Sequence, residues 1–79
     1  KKAQIFLVTV KDRTNDNDLQ PNSHDGHEFN YVLEGSLKVH IDDKEILLEE
    51  GDSLYFDSKC KHYMTSVDGK TAKIIAVVL

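Results

Sequence analysis

Seventy-nine residues make a single domain with a modest core. The formal net charge of −4, with Asp and Glu spread along the chain, excludes a basic surface of the kind that neutralises phosphates, so this segment is not expected to bind nucleic acid. No apolar run is long enough to span a bilayer, and the single cysteine, Cys60, excludes an internal disulfide; together these set an expectation of no membrane partner and a reducing, cytoplasmic setting.

The chain opens on Lys1-Lys2 and closes on the apolar run Ile74 to Leu79, so residues 1–79 are expected to be one domain excised from a longer protein. Residues 3–11, with Ile5, Phe6, Leu7, Val8 and Val10, predict a strand. Its apolar groups fall at both odd and even positions, which predicts cover on both faces. Residues 11–26 have the composition of one long loop, from Asp12 through Asp18 to Pro21 and Gly26. The acidic run there lacks the glycine and closing glutamate of an EF-hand and reads as solvated.

Short strands then follow closely. His27–Glu34 alternates, with Phe29, Tyr31 and Leu33 on one face and Glu28, Asn30 and Val32 on the other. Gly35 turns the chain into Leu37–Ile41, and Asp42-Asp43 turns it again into Glu45–Glu49. Glu50-Gly51-Asp52 leads to Ser53–Asp57. Lys61–Val67 places His62, Met64 and Ser66 on one side, and Asp68-Gly69 predicts a two-residue hairpin turn needing positive φ. Ala72–Leu79 closes as an apolar strand. No helical period of useful length is present, so the class is all-β, a sandwich or barrel.

Glu28 shares a face with Val32, and Val32 belongs inside. A carboxylate placed there must be paired, hydrogen-bonded or metal-bound, because burying a bare charge is costly; the plainer reading is a solvated carboxylate at a strand mouth. His24 precedes Glu28 by four positions, and His62 opens a later strand. Two imidazoles and a carboxylate converging at one barrel mouth form a facial triad suited to iron, manganese, nickel or zinc. His27 falls on the opposite face from Glu28, and His40 on that of Lys38, so both read as surface groups. Cys60 lies near the same mouth and reads as a small, half-buried side chain.

Six residues separate Glu28 from Gly35, and ten separate Gly51 from His62. These two stretches resemble the two motifs of the cupin superfamily, over residues 22–66. The resemblance implies a small cupin jelly-roll β-barrel of two facing antiparallel sheets. It also implies that His24, Glu28 and His62 stand at three of the motif's metal-ligand positions. Asn22 stands where the motif has its first histidine, Asp57 and Lys59 replace its proline and glycine, and Ser66 replaces its closing asparagine. With Asn22 a poorer ligand than imidazole, no metal or a weakly held divalent zinc, nickel, manganese or iron ion is expected.

In detail the strings around Glu28–Ile41 and Gly51–His62 look like the C-terminal cupin domains of bacterial helix-turn-helix transcription regulators. That implies a domain sensing a small-molecule effector, with DNA bound through a domain outside this chain. Its pocket would use Asn22, His24, Glu28, Asn30 and His62, walled by Val32 and Met64. The alternative is a metal-dependent enzyme (dioxygenase, isomerase or lyase) built on His24, Glu28 and His62; a stand-alone binding cupin is a third reading. If Glu28 points inward, Phe29, Tyr31 and Leu33 point outward, and these three are expected to bury one copy against another in a homodimer.

Overall fold

A computed structural model describes residues 3–11 and 26–79. They form seven strands: β1 (Gln4–Val10), β2 (His27–Glu34), β3 (Leu37–Ile41), β4 (Lys44–Leu48), β5 (Ser53–Asp57), β6 (His62–Ser66) and β7 (Ala72–Val78). The strands pair antiparallel in two sheets, one of order β1-β7-β2-β5 and one of order β4-β3-β6. This is the expected jelly-roll of two facing sheets. No helix among the described residues is long and apolar enough to cross a membrane.

The alternation read in β2 is the alternation observed. Glu28, Asn30 and Val32 are buried, while Tyr31 and Leu33 are exposed and Phe29 is half-buried. Their inward neighbours across the ladder are Phe56 and Leu54 of β5 and Val78, Ala76 and Ile74 of β7. From the second sheet, Leu37, Val39 and Leu48 complete the core with Val32, Ala72, Ile74, Ala76 and Val10. Small residues on β7 let the sheets approach, and the branched side chains of Ile74 and Val39 fill the space between them without exposure.

Two expectations need correction. Cover on both faces of the first strand is not found: Ile5, Phe6 and Leu7 are 71%, 48% and 73% exposed. β1 is an edge strand paired to β7, beyond the reach of most core side chains, and only its end at Val10 is buried. The Asp68-Gly69 turn has the positive φ values expected, 55° and 70°, yet it does not make a hairpin. β6 pairs with β3 and β7 pairs with β1 and β2, so the turn carries the chain from one sheet to the other. Turn chemistry specifies a reversal of direction, and core packing decides which strand then pairs with which.

Gly35 sits at another of the crossings between sheets, from β2 to β3, at φ 81°. A Cβ there would sit 2.8 Å from the Thr71 carbonyl oxygen, so both the conformation and the space require glycine.

Candidate metal centre

The glutamate end of β2 and the histidine end of β6 meet inside the barrel. β2 belongs to the four-stranded sheet and β6 to the three-stranded one, so the two side chains approach from opposite walls. His62 Nε2 lies 3.2 Å from Glu28 Oε1, and both side chains are nearly inaccessible. The inward orientation expected for Glu28 and His62 is therefore observed.

Each partner is held by a second contact. His62 Nδ1 lies 2.7 Å from the Cys60 carbonyl oxygen. A carbonyl can only accept, so Nδ1 carries a hydrogen and donates it. In the neutral ring this leaves the Nε2 lone pair facing Glu28 Oε1. A ring nitrogen and a carboxylate oxygen side by side in a buried site are a donor set that can hold a divalent ion. Phe56 packs edge-on against the His62 ring, with centroids 4.9 Å apart, and fixes its plane.

Glu28 is held through its other oxygen. Asn30 is fully buried two residues further along the same inward face. Its amide nitrogen lies 3.1 Å from Glu28 Oε2 and 3.3 Å from the Phe29 carbonyl oxygen; the reverse orientation would set its oxygen against acceptors. Asn30 thus meets the carboxylate itself. Val32 lies in the core and Met64 packs partly buried against it.

The loop before His62 is tied down by main-chain contacts. Ser58 N donates to the Gly26 carbonyl, Cys60 N to the Asp57 carbonyl, and Asp42 N to the Lys61 carbonyl at 2.8 Å. Lys61 N donates back to Asp42 Oδ1 at 3.3 Å. The Cys60 thiol, half-buried as expected, is pushed above its ordinary pKa by lost hydration and then by the Asp42 and Asp57 carboxylates near it.

Asn22 and His24 lie outside the described residues. Among the described residues no third His, Cys, Asp or Glu joins Glu28 and His62. His27 is exposed and stacks on Tyr55 with centroids 5.3 Å apart, so it stays out of the pocket as expected. His40 points out of the three-stranded sheet but is more covered than a plain surface group. It lies flat on Tyr63, with Nε2 3.1 Å from Thr65 Oγ1 and Nδ1 3.5 Å from a Glu45 oxygen.

A metal ion fits the Glu28–His62 pair. Two ligands each about 2.1 Å from one ion, in adjacent positions, lie about 3.0 Å apart, close to the spacing found. Metal-binding imidazoles commonly donate their second N–H to a carbonyl, as His62 does here.

The model of the family described as "Cupin domain" matches residues 7–78. The chain belongs to the cupin family. Over 98% of its length this cupin is 38% identical to the (S)-2-hydroxypropylphosphonic acid epoxidase of Streptomyces wedmorensis, of which it covers 43%. It superposes on an iron(II) form of HppE in complex with substrate with a TM-score of 0.83 at 35% identity, covering 98% of this chain and 45% of that one. A cobalt(II) form in complex with substrate gives a TM-score of 0.81, again at 35% identity, covering 98% and 44%. The cupin spans less than half the length of these relatives.

These likenesses overturn the expectation of an effector-sensing domain of a transcription regulator. The relatives are a metal-containing enzyme, and the resemblance to regulator domains rested on strings such as Glu28–Ile41 that serve the barrel itself. Strand alternation and a glycine turn are required by the fold whichever chemistry it hosts.

Proposed function

We propose that this cupin is the metal-holding domain of a mononuclear oxidative enzyme akin to the epoxidase, with a divalent ion of the iron(II) type held by His24, Glu28 and His62. The observation that carries this reading is the buried Glu28–His62 pair, in which Nδ1–H is committed to the Cys60 carbonyl and Nε2 is turned toward the carboxylate. Two histidines and one carboxylate form the ligand set of non-haem iron(II) oxygenases, which leaves coordination positions open. Asn22 in place of a fourth strong ligand suits that chemistry.

A bound iron(II) ion would supply redox equivalents and open positions for substrate and oxidant. The chain's own residues do the rest. Glu28 balances charge, and His62 is held at one angle by Phe56 and the Cys60 carbonyl. Val32 and Met64 keep the inner side of the site dry, which strengthens every electrostatic contact there. The named substrate of the curated relative makes a hydroxyalkylphosphonate the first compound to try.

Anaerobic cobalt(II) and iron(II) titrations of the wild type and of His24→Ala, Glu28→Ala and His62→Ala test the reading. One equivalent bound by the wild type, with binding lost in each variant, is the expected result. Uptake that Glu28→Ala and His62→Ala leave unchanged overturns it.

A further inference from the structure

We infer that Asn30 is a positioning residue that decides how Glu28 meets the metal: its amide holds Oε2 back, so Oε1 alone is presented beside His62. This rests on the metal-centre reading above and adds to it. Asn30 has no exposed surface. On β2 it stands one pleat from Glu28 on the same face, the spacing that lets one side chain lean on the next. Its nitrogen reaches both Glu28 Oε2 and the Phe29 carbonyl, so both amide hydrogens are committed inside the protein. Cross-strand neighbours Leu54 and Ala76 offer it no competing polar group.

The consequence is a choice of binding mode. A carboxylate with both oxygens available tends to close on a divalent ion through two bonds and fill an extra position. A carboxylate whose second oxygen accepts an N–H binds through one. At a three-ligand site that difference sets how many positions remain for substrate and oxidant. Asn30 therefore acts on metal chemistry through Glu28, without reaching the ion.

The test uses Asn30→Leu, which keeps approximate volume but has no donor, and Asn30→Asp, which keeps shape but places an acceptor where the donor was. Cobalt(II) is the probe. Infrared difference spectra, loaded minus metal-free, with carbon-13 glutamate label, report the splitting between the two carboxylate stretches, which narrows when both oxygens bind one ion. A wide splitting in the wild type and a narrow one in both variants is expected, with cobalt affinity falling about 10- to 100-fold as for other partners of metal ligands. Unchanged splitting in a folded variant overturns the inference while leaving the metal reading intact. Failure of the wild type to bind cobalt at Glu28 overturns both. Should both variants lose the fold, the metal-free wild type is compared with Glu28→Gln by NMR. An Asn30 side-chain amide that is protected from exchange and shifts on that substitution supports the contact, and an unprotected, unshifted amide overturns it.

Discussion

Glu28 and His62 face each other from opposite sheets, with Oε1 and Nε2 3.2 Å apart and almost no solvent at either. Such a pair is costly to a metal-free fold, because two desolvated polar groups recover less from each other than they lose from water. Replacing the linked groups at once, Glu28→Leu with Asn30→Leu and His62→Leu, so that no buried amide is left without its acceptor, is expected to stabilise the metal-free domain by about 1–4 kcal/mol while abolishing cobalt binding. Urea unfolding in the presence of chelator measures the first effect and titration the second. A triple variant less stable than the wild type would show that these groups support the fold.

The raised pKa of Cys60 has a definite sign in reactivity. The thiolate is the nucleophile, and lost hydration with the carboxylates of Asp42 and Asp57 disfavours it. Alkylation by iodoacetamide near pH 8 is expected to be slower than for a free cysteine, and to accelerate at higher pH than that reference. Asp42→Asn removes one negative charge, keeps an oxygen to accept from Lys61 N, and suits the left-handed φ of 52° at this position. It should raise the alkylation rate several-fold. A rate equal to that of the wild type would remove Asp42 as a cause.

Gly26 and Gly51 form a controlled comparison. Both have positive φ, 106° and 90°. A Cβ on Gly26 would run into the Leu79 carbonyl, whereas one on Gly51 meets nothing within 4 Å. Gly51→Ala should cost about 1–2 kcal/mol from backbone strain alone. Gly26→Ala should cost more and, lying two residues before Glu28, should also weaken cobalt binding. Equal unfolding midpoints for the two variants would contradict this.

The outward side chains Phe29, Tyr31 and Leu33 share their sheet face with Ile5, Leu7 and Tyr55. Pairing of two copies through this face remains a proposal. It predicts a concentration-dependent dimer in sedimentation of the isolated domain, split by Tyr31→Glu, which would bury a charge without a partner. A monomer at high concentration would reject it.

The face of nearly every inward residue was legible because alternation is a local signal. Glu28, Asn30 and Val32 declare themselves by sharing parity in a strand whose other parity is Phe29, Tyr31 and Leu33. The crossing at Asp68-Gly69 was not legible, because the same two residues serve a hairpin or a change of sheet. Two contacts at the site were not legible either. Phe56 is visible as the inward neighbour of Leu54 by parity, but its approach to His62 depends on how far apart the sheets sit. Parity marks Asn30 as an inward polar group, and its contact with Glu28 depends on a side-chain torsion that no spacing encodes.

The anchor on His62 is a main-chain carbonyl, so no side chain at position 60 provides it or can remove it. Cys60→Ala or Cys60→Ser should leave metal affinity within about twofold, since the carbonyl bond does not depend on the side chain. A survey of tolerated substitutions would therefore mark position 60 as unconstrained, although it directs an imidazole that the proposed chemistry uses. The restriction would surface at neighbours instead: at Asp42, whose backbone and carboxylate clasp Lys61, and at Gly26, whose carbonyl receives Ser58 N. Tolerance to mutation and proximity to the reaction are uncoupled in this loop, and a search guided by variability alone would look past the atom that aims the ring.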